Sequence, residues 1–494
     1  MSYLGIDIGT SGCKAVAFDR SGKPLASARR DYALRHPAPG RAELDSREVI
    51  SACCEVIAEA AKSVARDPVA AIGISSQGEA FTPVAADGSY LDNAMVSSDS
   101  RAGEEIEPFV AGFGLDRLYR ITGHTPSPLF SLFKLLWLKR NNPEVWRKSS
   151  RFLCFEDLLE QRLGVEPALG WPLAGRTMLF DVKNHVWSPE ILEALELDAK
   201  KLARPLQSGS TAGVIPDRIA SELGLPRGVK VVTGGHDQTI GALGAGVVEP
   251  GSAMYAAGSV ECLCPVIPQL TLNGELCRNN LCCYDYSVPG AYSSVAYSLT
   301  GSNLLQYFKE NFAGEVNYDQ LIQQLPAEPS RLLALPYFTP SGTPYFDQST
   351  PGAVLGWRLS TSRGELLKAL MEGIALEMKL NLELLERSGI RITRLIATGG
   401  GSRLRQLVQL KADVLDRPIE TIEVGEAGCL GAARLAQSAD TGVPIIELVR
   451  RERNPEREVT PSPDRAECYR KKFMQYRAFY AGIKELSGKL EPIG

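Results

Sequence analysis

The sequence predicts an α/β protein made of two similar halves that face each other across a cleft. Three observations predict it. Apolar, β-branched runs alternate with stretches of helical spacing along most of the chain, an order that gives layered α/β architecture. Each half opens with a hairpin whose turn carries a Gly-Thr or Gly-Ser step, so the unit reads as duplicated in pattern, though not in residue identity. The chain has 494 residues, 44% hydrophobic and 23% charged, enough for two domains that each bury a core.

Residues 3–8 form a short apolar run, residues 13–19 a second, and Leu25 to Tyr32 a third after the turn residues Asp19 to Pro24. This pattern is a three-stranded antiparallel meander. Residues 48–65 carry apolar side chains at helical spacing, and Val69 to Ser75 is an apolar, β-branched strand. In the second half, residues 251–265 read as a hairpin and residues 363–388 as a long amphipathic helix. Leu395 to Thr398 is a strand, Ser402 to Leu415 a helix, Pro418 to Val424 a strand and Ala427 to Ala436 a helix. The seam falls near residues 245–251, where Pro and Gly interrupt the pattern. The expected division is an N-terminal domain 1–246, a C-terminal domain 247–440 and a tail 441–494. The tail ends in a helix from Asp464 to Leu486, expected as a solvated, charge-laced helix set on the C-terminal domain.

The bulk numbers narrow the function. Net charge is −4 and the pI is near 5.8, without the basic excess of a nucleic-acid or anionic-membrane surface. No segment approaches the roughly 18 apolar residues of a membrane span. The start MSYLGIDIG lacks the basic and apolar regions of a secretory signal, so a cytoplasmic location is expected. Eleven cysteines then read as reduced thiols. Cys262, Cys264, Cys277, Cys282 and Cys283 cluster in sequence, but no C-x₂-C pair and no nearby His accompany them as in a zinc site. They read as buried thiols on adjacent strands.

Four loops carry the chemistry. In Asp7-Ile8-Gly9-Thr10-Ser11-Gly12-Cys13-Lys14 a strand ends in an acid and turns through glycines. Glycines let backbone N–H groups approach a phosphate, and successive N–H groups make an anion-binding hollow. Thr10 and Ser11 add hydroxyl donors, Lys14 a charge, and Asp7 a place for Mg²⁺ held through water. The pattern is not a P-loop, and an ordinary turn with Asp and Thr satisfying the backbone reads as well. Gly258-Ser259 at the second hairpin's tip is placed to face the first loop. Thr398-Gly399-Gly400-Gly401-Ser402 follows a strand and opens a helix, which suits a flat ligand and phosphate oxygens or simply a tight turn. Gly234-Gly235-His236-Asp237-Gln238-Thr239 follows the strand Val229 to Thr233. Asp237 there suits a general base for a hydroxyl nucleophile and equally a helix N-cap.

Taken together and in this order, the four loops resemble those of the FGGY carbohydrate kinases, of the actin-like ATPase superfamily, from about residue 3 to residue 437. Ser131 to Leu138 resembles the family's first signature, with Leu129 departing at its first position. Gly352 to Trp357, with Glu365-Leu366 to Met371-Glu372, resembles the second, with Trp357 and Leu370 departing. Thr343 to Asp347 is similar too. The resemblance implies two ribonuclease H-like domains with the active site between them, and ATP with Mg²⁺. It carries the nucleotide role to Gly9, Thr10, Ser11, Lys14, Gly258, Ser259, Gly301, Gln306, Gly399, Gly400, Gly401 and Ser402. It carries metal binding to Asp7 and Asp237, and the catalytic base to Asp237.

Substrate contacts are expected at Gln77, Glu79, Asp99, Arg101 and Gln238. Xylulokinases usually have Met-His where this chain has Gly78-Glu79; glycerol kinases have Arg-Glu there and Trp at the position of Ser97. Gly78 and Ser97 suggest a roomier pocket than glycerol needs, hence a four- to six-carbon ketose such as xylulose, or a polyol. The expected partner is that small molecule, with a homodimer as the assembly considered. The rivals are an actin-type or heat-shock-type ATPase that works by changing shape, and a sugar sensor without catalysis.

Overall fold

The structure, a computed structural model, describes residues 1–422, 425–452 and 455–489. Its first half is built on β1 (Ser2–Ile8), β2 (Gly12–Phe18), β3 (Pro24–Asp31), α1 (Ser46–Ser63), β4 (Val69–Ser76), α2 (Phe155–Arg162), β5 (Thr211–Val214), β6 (Lys230–His236) and α3 (Asp237–Gly244). The six strands form one sheet in the order β5-β6-β4-β1-β2-β3. The expected meander is present, with β1, β2 and β3 antiparallel. Its second turn is fixed by Asp19, whose Oδ1 accepts from the Ser21 and Lys23 amides at 2.8 and 3.0 Å. Asp45 caps α1 through the Arg47 amide at 3.0 Å, the role Asp favours at a helix start.

The second half contains β7 (Ser252–Ala257), β8 (Glu261–Pro265), β9 (Ala296–Ser298), α4 (Ser302–Phe308), α5 (Arg363–Arg387), β10 (Arg394–Thr398), α6 (Arg405–Leu415), β11 (Ile419–Ile422), α7 (Ala427–Thr441), β12 (Pro455–Val459) and α8 (Pro463–Ser487). Its sheet runs β9-β8-β7-β10-β11-β12. Read from β3 and from β9, both sheets pair antiparallel, antiparallel, parallel, parallel, antiparallel. The duplication legible as a pattern in sequence is thus a shared topology. The copies differ at one edge: β5 precedes its partner β6 in the chain, whereas β12 follows β11.

The linear seam is crossed once. Helix α7 belongs to the second half by sequence but lies on the first sheet. Gly5 and Gly73 pair in register across β1 and β4. A Cβ on either would meet the carbonyl oxygen of Cys429 at 1.7 Å or of Ala432 at 2.0 Å. Two adjacent glycines therefore make a bare patch on which the α7 backbone rests directly. Helix α1 packs on β2 and β3. A separate small core, with Leu118, Phe133, Leu135 and Phe152, holds the insertion between β4 and β5 together.

Three expectations shift. The turn Gly400–Arg403 is a 3₁₀ turn, and α6 begins at Arg405 rather than Ser402, because Ser402 Oγ donates back to the Gly399 carbonyl at 2.7 Å. The strand expected through Val424 ends at Ile422 within the described residues; Glu423 and Val424 lie outside them. Helix α8 is not simply solvated. Tyr469, Phe473, Tyr476 and Tyr480 fall on one helical face and are buried in the C-terminal core.

Candidate active site

The first loop is braced from below by Gln77, which directly follows β4. Its Nε2 donates to the Gly9 carbonyl at 3.0 Å and its Oε1 accepts from Thr10 Oγ1 at 3.2 Å. Tyr32 donates to the same Gly9 carbonyl at 2.6 Å. Both ends of the Gln77 amide are therefore spent on the loop. Asp7 lies one residue from the end of β1, and Ser75 Oγ donates to its Oδ1 at 2.6 Å. Its carboxyl is pushed up by burial and by Glu426, against the Ser75 bond and Lys14. Lys14 is ion-paired with Glu426 just before α7, so its charge is shared with that acid.

The second hairpin and the triple glycine meet. A Cβ on Gly399 or Gly401 would lie 2.8 or 3.0 Å from the Ala257 carbonyl oxygen. A Cβ on Gly301 would lie 2.7 Å from the Gly258 carbonyl and 2.8 Å from that of Ser259. Ser302 N donates to the Gly258 carbonyl at 2.9 Å. Gly258, Ser259, Gly301, Gly399, Gly401 and Ser402 are thus brought to one place at the ends of β7 and β10. Gly400 is different: a Cβ there would meet nothing within 4 Å. Gln306 is not turned to this cluster, since its exposed amide donates to Glu310 at 2.8 Å.

Asp237 begins α3, and the N-cap position belongs to His236. The capping alternative for Asp237 is therefore not what the backbone shows. Its side chain keeps 32% of its surface open, yet it sits deep between the two halves. Its carboxyl is pushed up to about 7, first by burial and then by Asp7 and Glu79, against hydrogen bonds from Gln238. His236 Nε2 lies 3.2 Å from Asp237 Oδ1, and its Nδ1 lies 2.9 Å from Tyr284 Oη. Burial, Arg176 and His124 hold His236 well below its ordinary pKa. As a neutral ring it can accept the Tyr284 hydroxyl at Nδ1, with Nε2 beside the Asp237 carboxyl. Gln238 reaches the other half, accepting from Cys262 Sγ at 2.9 Å.

Asp7 and Asp237 are close enough for their charges to oppose each other. A divalent cation between them would relieve that opposition. Among the described residues no three His, Cys, Asp or Glu side chains group as a metal set. Two carboxylates completed by waters and phosphate oxygens suit Mg²⁺. The clustered cysteines are free and mostly buried; Cys264 Sγ lies 3.1 Å from Ser293 Oγ.

The remaining expected contacts separate into two groups. Asp99 and Arg101 are bonded to each other, and Arg101 is also bonded to Glu43. Asp99 Oδ2 also accepts the Ala42 amide at 2.7 Å. This network ties the insertion to the segment just before α1. Glu79 instead is 3% exposed and joins Arg176, His124, Phe130 and Tyr284 beside His236. His236, Tyr284 and Arg176 were not singled out from sequence. No local pattern marks Arg176; the Gly-His-Asp step was the one available signal for His236. The room expected opposite Gly78 is partly filled, since a Cβ there would meet His236 Cδ2 at 3.1 Å and Arg176 Cβ at 3.5 Å.

Comparison with known proteins gives a consistent set of matches. Residues 2–244 match the N-terminal domain of the FGGY family of carbohydrate kinases, and residues 290–439 match its C-terminal domain. A xylulose kinase of Lactococcus lactis is 26% identical over 499 residues, covering 99% of each chain. A solved structure described as a xyloylose kinase from Brucella ovis superposes with a TM-score of 0.91 at 26% identity, covering 98% of this chain and all of that one. A gluconate kinase structure from Lactobacillus acidophilus superposes with a TM-score of 0.92 at 23% identity, covering 99% of each.

Proposed function

The chain belongs to the FGGY family of carbohydrate kinases, and from that premise we propose that it phosphorylates a four- to six-carbon ketose such as xylulose, or a related polyol, with ATP and Mg²⁺. The observation that carries the reading is the placement of Asp237. It stands at the start of α3, with Asp7 on one side and, through Gln238, Cys262 of the second half on the other. Relatives called xylulose kinases that align over nearly the full chain support the choice of xylulose.

Asp237 takes the proton of one substrate hydroxyl, with the neutral His236 ring beside its Oδ1. A base with a pKa near the working pH combines availability with driving force. The backbone of Gly9 to Ser11 and of Gly258-Ser259 receives the phosphates, with Gln77 keeping the first loop rigid. The turn Gly399 to Ser402 takes the nucleoside, its open side at Gly400. Asp7 and Asp237 would hold Mg²⁺ through water, which would neutralise phosphate charge. Catalysis of this kind is mainly positioning and electrostatics. We place the domain division at 246/247, a choice supported by its position between the last strand of the first sheet and the first strand of the second, with α7 reaching back across it.

An ATPase that works by changing shape has no need for the buried Glu79–Arg176–His236 cluster beside its base, which favours the kinase over that rival. The test is an ADP-release assay over ketoses, polyols and sugar acids. Release that rises at least about 10-fold with one sugar, with a stoichiometric sugar phosphate, is the expected result. Equal ADP release with and without every sugar would return the protein to the ATPase class.

A further inference from the structure

Arg176 follows the short helix Trp171–Gly175 and is 7% exposed. Phe130 and Tyr284 flank its guanidinium at 5.0 and 5.8 Å. Its Nε donates to Glu79 Oε1 at 2.5 Å, and Nη2 approaches the same oxygen. A symmetric fork would engage both carboxylate oxygens. Here the contacts converge on one, and among the described residues neither Glu79 Oε2 nor Arg176 Nη1 has a hydrogen-bond partner. One acceptor of Glu79 and one donor of Arg176 are left over, Nη1 lying outside the Nε–Nη2 edge that meets Glu79.

The backbone holds this arrangement. Glu79 has a φ of 65°, a left-handed conformation that costs a side-chain-bearing residue energy and persists where the surroundings impose it. Ser131 Oγ donates to the Glu79 carbonyl at 2.9 Å. Gly78 brings the pair against His236, and so against the step that carries Asp237.

We infer that Arg176 is a specificity-determining residue which, with Glu79, forms a charge-neutral donor–acceptor pair that reads two adjacent hydroxyls of a neutral sugar. The inference rests on the kinase reading above. Glu79 Oε2 accepts from one hydroxyl and Arg176 Nη1 donates to its neighbour. The same pair disfavours sugar acids. Glu79 already meets the guanidinium charge, and burial and Arg176 hold His124 neutral, its pKa pushed down to about 3. Lys134, the other buried cation of the insertion, spends Nζ on the Met95 and Val96 carbonyls at 3.3 and 2.8 Å. A substrate carboxylate would lose its water there and gain no unpaired cation.

The test compares kcat/KM of wild type, Glu79→Gln, Arg176→Lys and Arg176→Met on the best neutral sugar, its deoxy analogues and the matching sugar acid. Wild type is expected to prefer the neutral sugar and to reject one vicinal deoxy analogue by about 10- to 100-fold. Both Arg176 variants lose most of that discrimination, mainly through KM, while ATP affinity is unchanged. Glu79→Gln, nearly isosteric, leaves the Arg176 charge unmet and narrows the gap to the sugar acid. Deoxy discrimination unchanged in Glu79→Gln and Arg176→Lys overturns the inference, as does a wild type that prefers the acid. No phosphorylation of any sugar by wild type that still binds ATP would instead overturn the kinase reading beneath it.

Discussion

Gly431 in α7 lies so close to Ile240 in α3 that a Cβ on it would sit 2.1 Å from the Ile240 carbonyl oxygen. The contact is reciprocal, because a Cβ on Gly244 in α3 would sit 1.9 Å from the carbonyl oxygen of Ala427. These two helices follow β6 and β11, the corresponding strands of the two sheets. The halves of the molecule are therefore joined backbone to backbone at their pseudo-equivalent helices.

Gly431→Ala should force these helices apart. Overpacking against backbone has no flexible side chain to yield, so the cost should be about 3 kcal/mol. Gly112, where a Cβ meets nothing within 4 Å, supplies the control within a surface helix. Urea unfolding that places Gly431→Ala level with Gly112→Ala would show that the crossing is looser than described.

Gly400→Val addresses the nucleotide turn. The position has open space and no left-handed φ, so the variant should fold with a near-normal melting temperature. The isopropyl group then stands where the nucleoside must approach, and Kd for ATP should rise about 10-fold or more, as for a lost set of well-made contacts. Calorimetry on the folded variant decides it, since unchanged affinity leaves the glycines with a turn role alone.

Much of this was legible in the sequence, for local reasons. The meander, α1, β4, β7 with β8, α5 and α7 announce themselves by alternation, helical spacing and turn residues, which are properties of short windows. What escaped is non-local. Asp99 and Arg101 carry the residue types of a sugar site, but Glu43, 56 or more positions away in sequence, draws Arg101 into an internal network. Arg176 sits in a stretch, Trp-Pro-Leu-Ala-Gly-Arg-Thr, with no feature that foretells a pairing with Glu79. In α8 the charges drew attention, while the aromatic face that docks the helix has ordinary 3- and 4-residue spacing and was there to be read.

Asp237→Ala should lower kcat by about 10²- to 10⁴-fold, the usual contribution of a general base, with Kd for ATP close to wild type. Asp237→Asn should behave alike, because the amide keeps the shape and loses the basicity. Single-turnover kinetics with saturating ATP isolate the chemical step. Turnover within a few-fold of wild type in both variants would remove the base from this residue.

Stability should depend on pH through Glu377, in the core of the second half. This residue of α5 is 1% exposed. Tyr337 Oη donates to its Oε1 at 2.9 Å and Tyr476 Oη, on α8, donates to its Oε2 at 2.5 Å. Burial pushes its carboxyl from an ordinary 4.5 up to about 7, although the two hydroxyls pull the other way. Below the ordinary value both folded and unfolded chains hold the proton, and the contribution is fully present. As pH rises toward 7 the unfolded chain has released the proton while the folded one keeps it, so stability is lost across that window. Above it both are ionised and the loss is complete, at most on the order of 3 kcal/mol at about 1.4 kcal/mol per unit. Glu377→Gln does not titrate, and a tyrosine hydroxyl can turn to accept from its amide. The variant should therefore gain on wild type steadily between about pH 4.5 and 7 and hold a constant difference above. Tyr476→Phe removes one donor to the carboxylate, which raises the pKa further and should carry the wild-type decline to higher pH. Melting curves for the three proteins at half-unit steps test both claims together. A flat difference between Glu377→Gln and wild type across the window would mean that the buried carboxyl ionises at its ordinary pH, and that the clamp between α5 and α8 is held by a charged acid throughout.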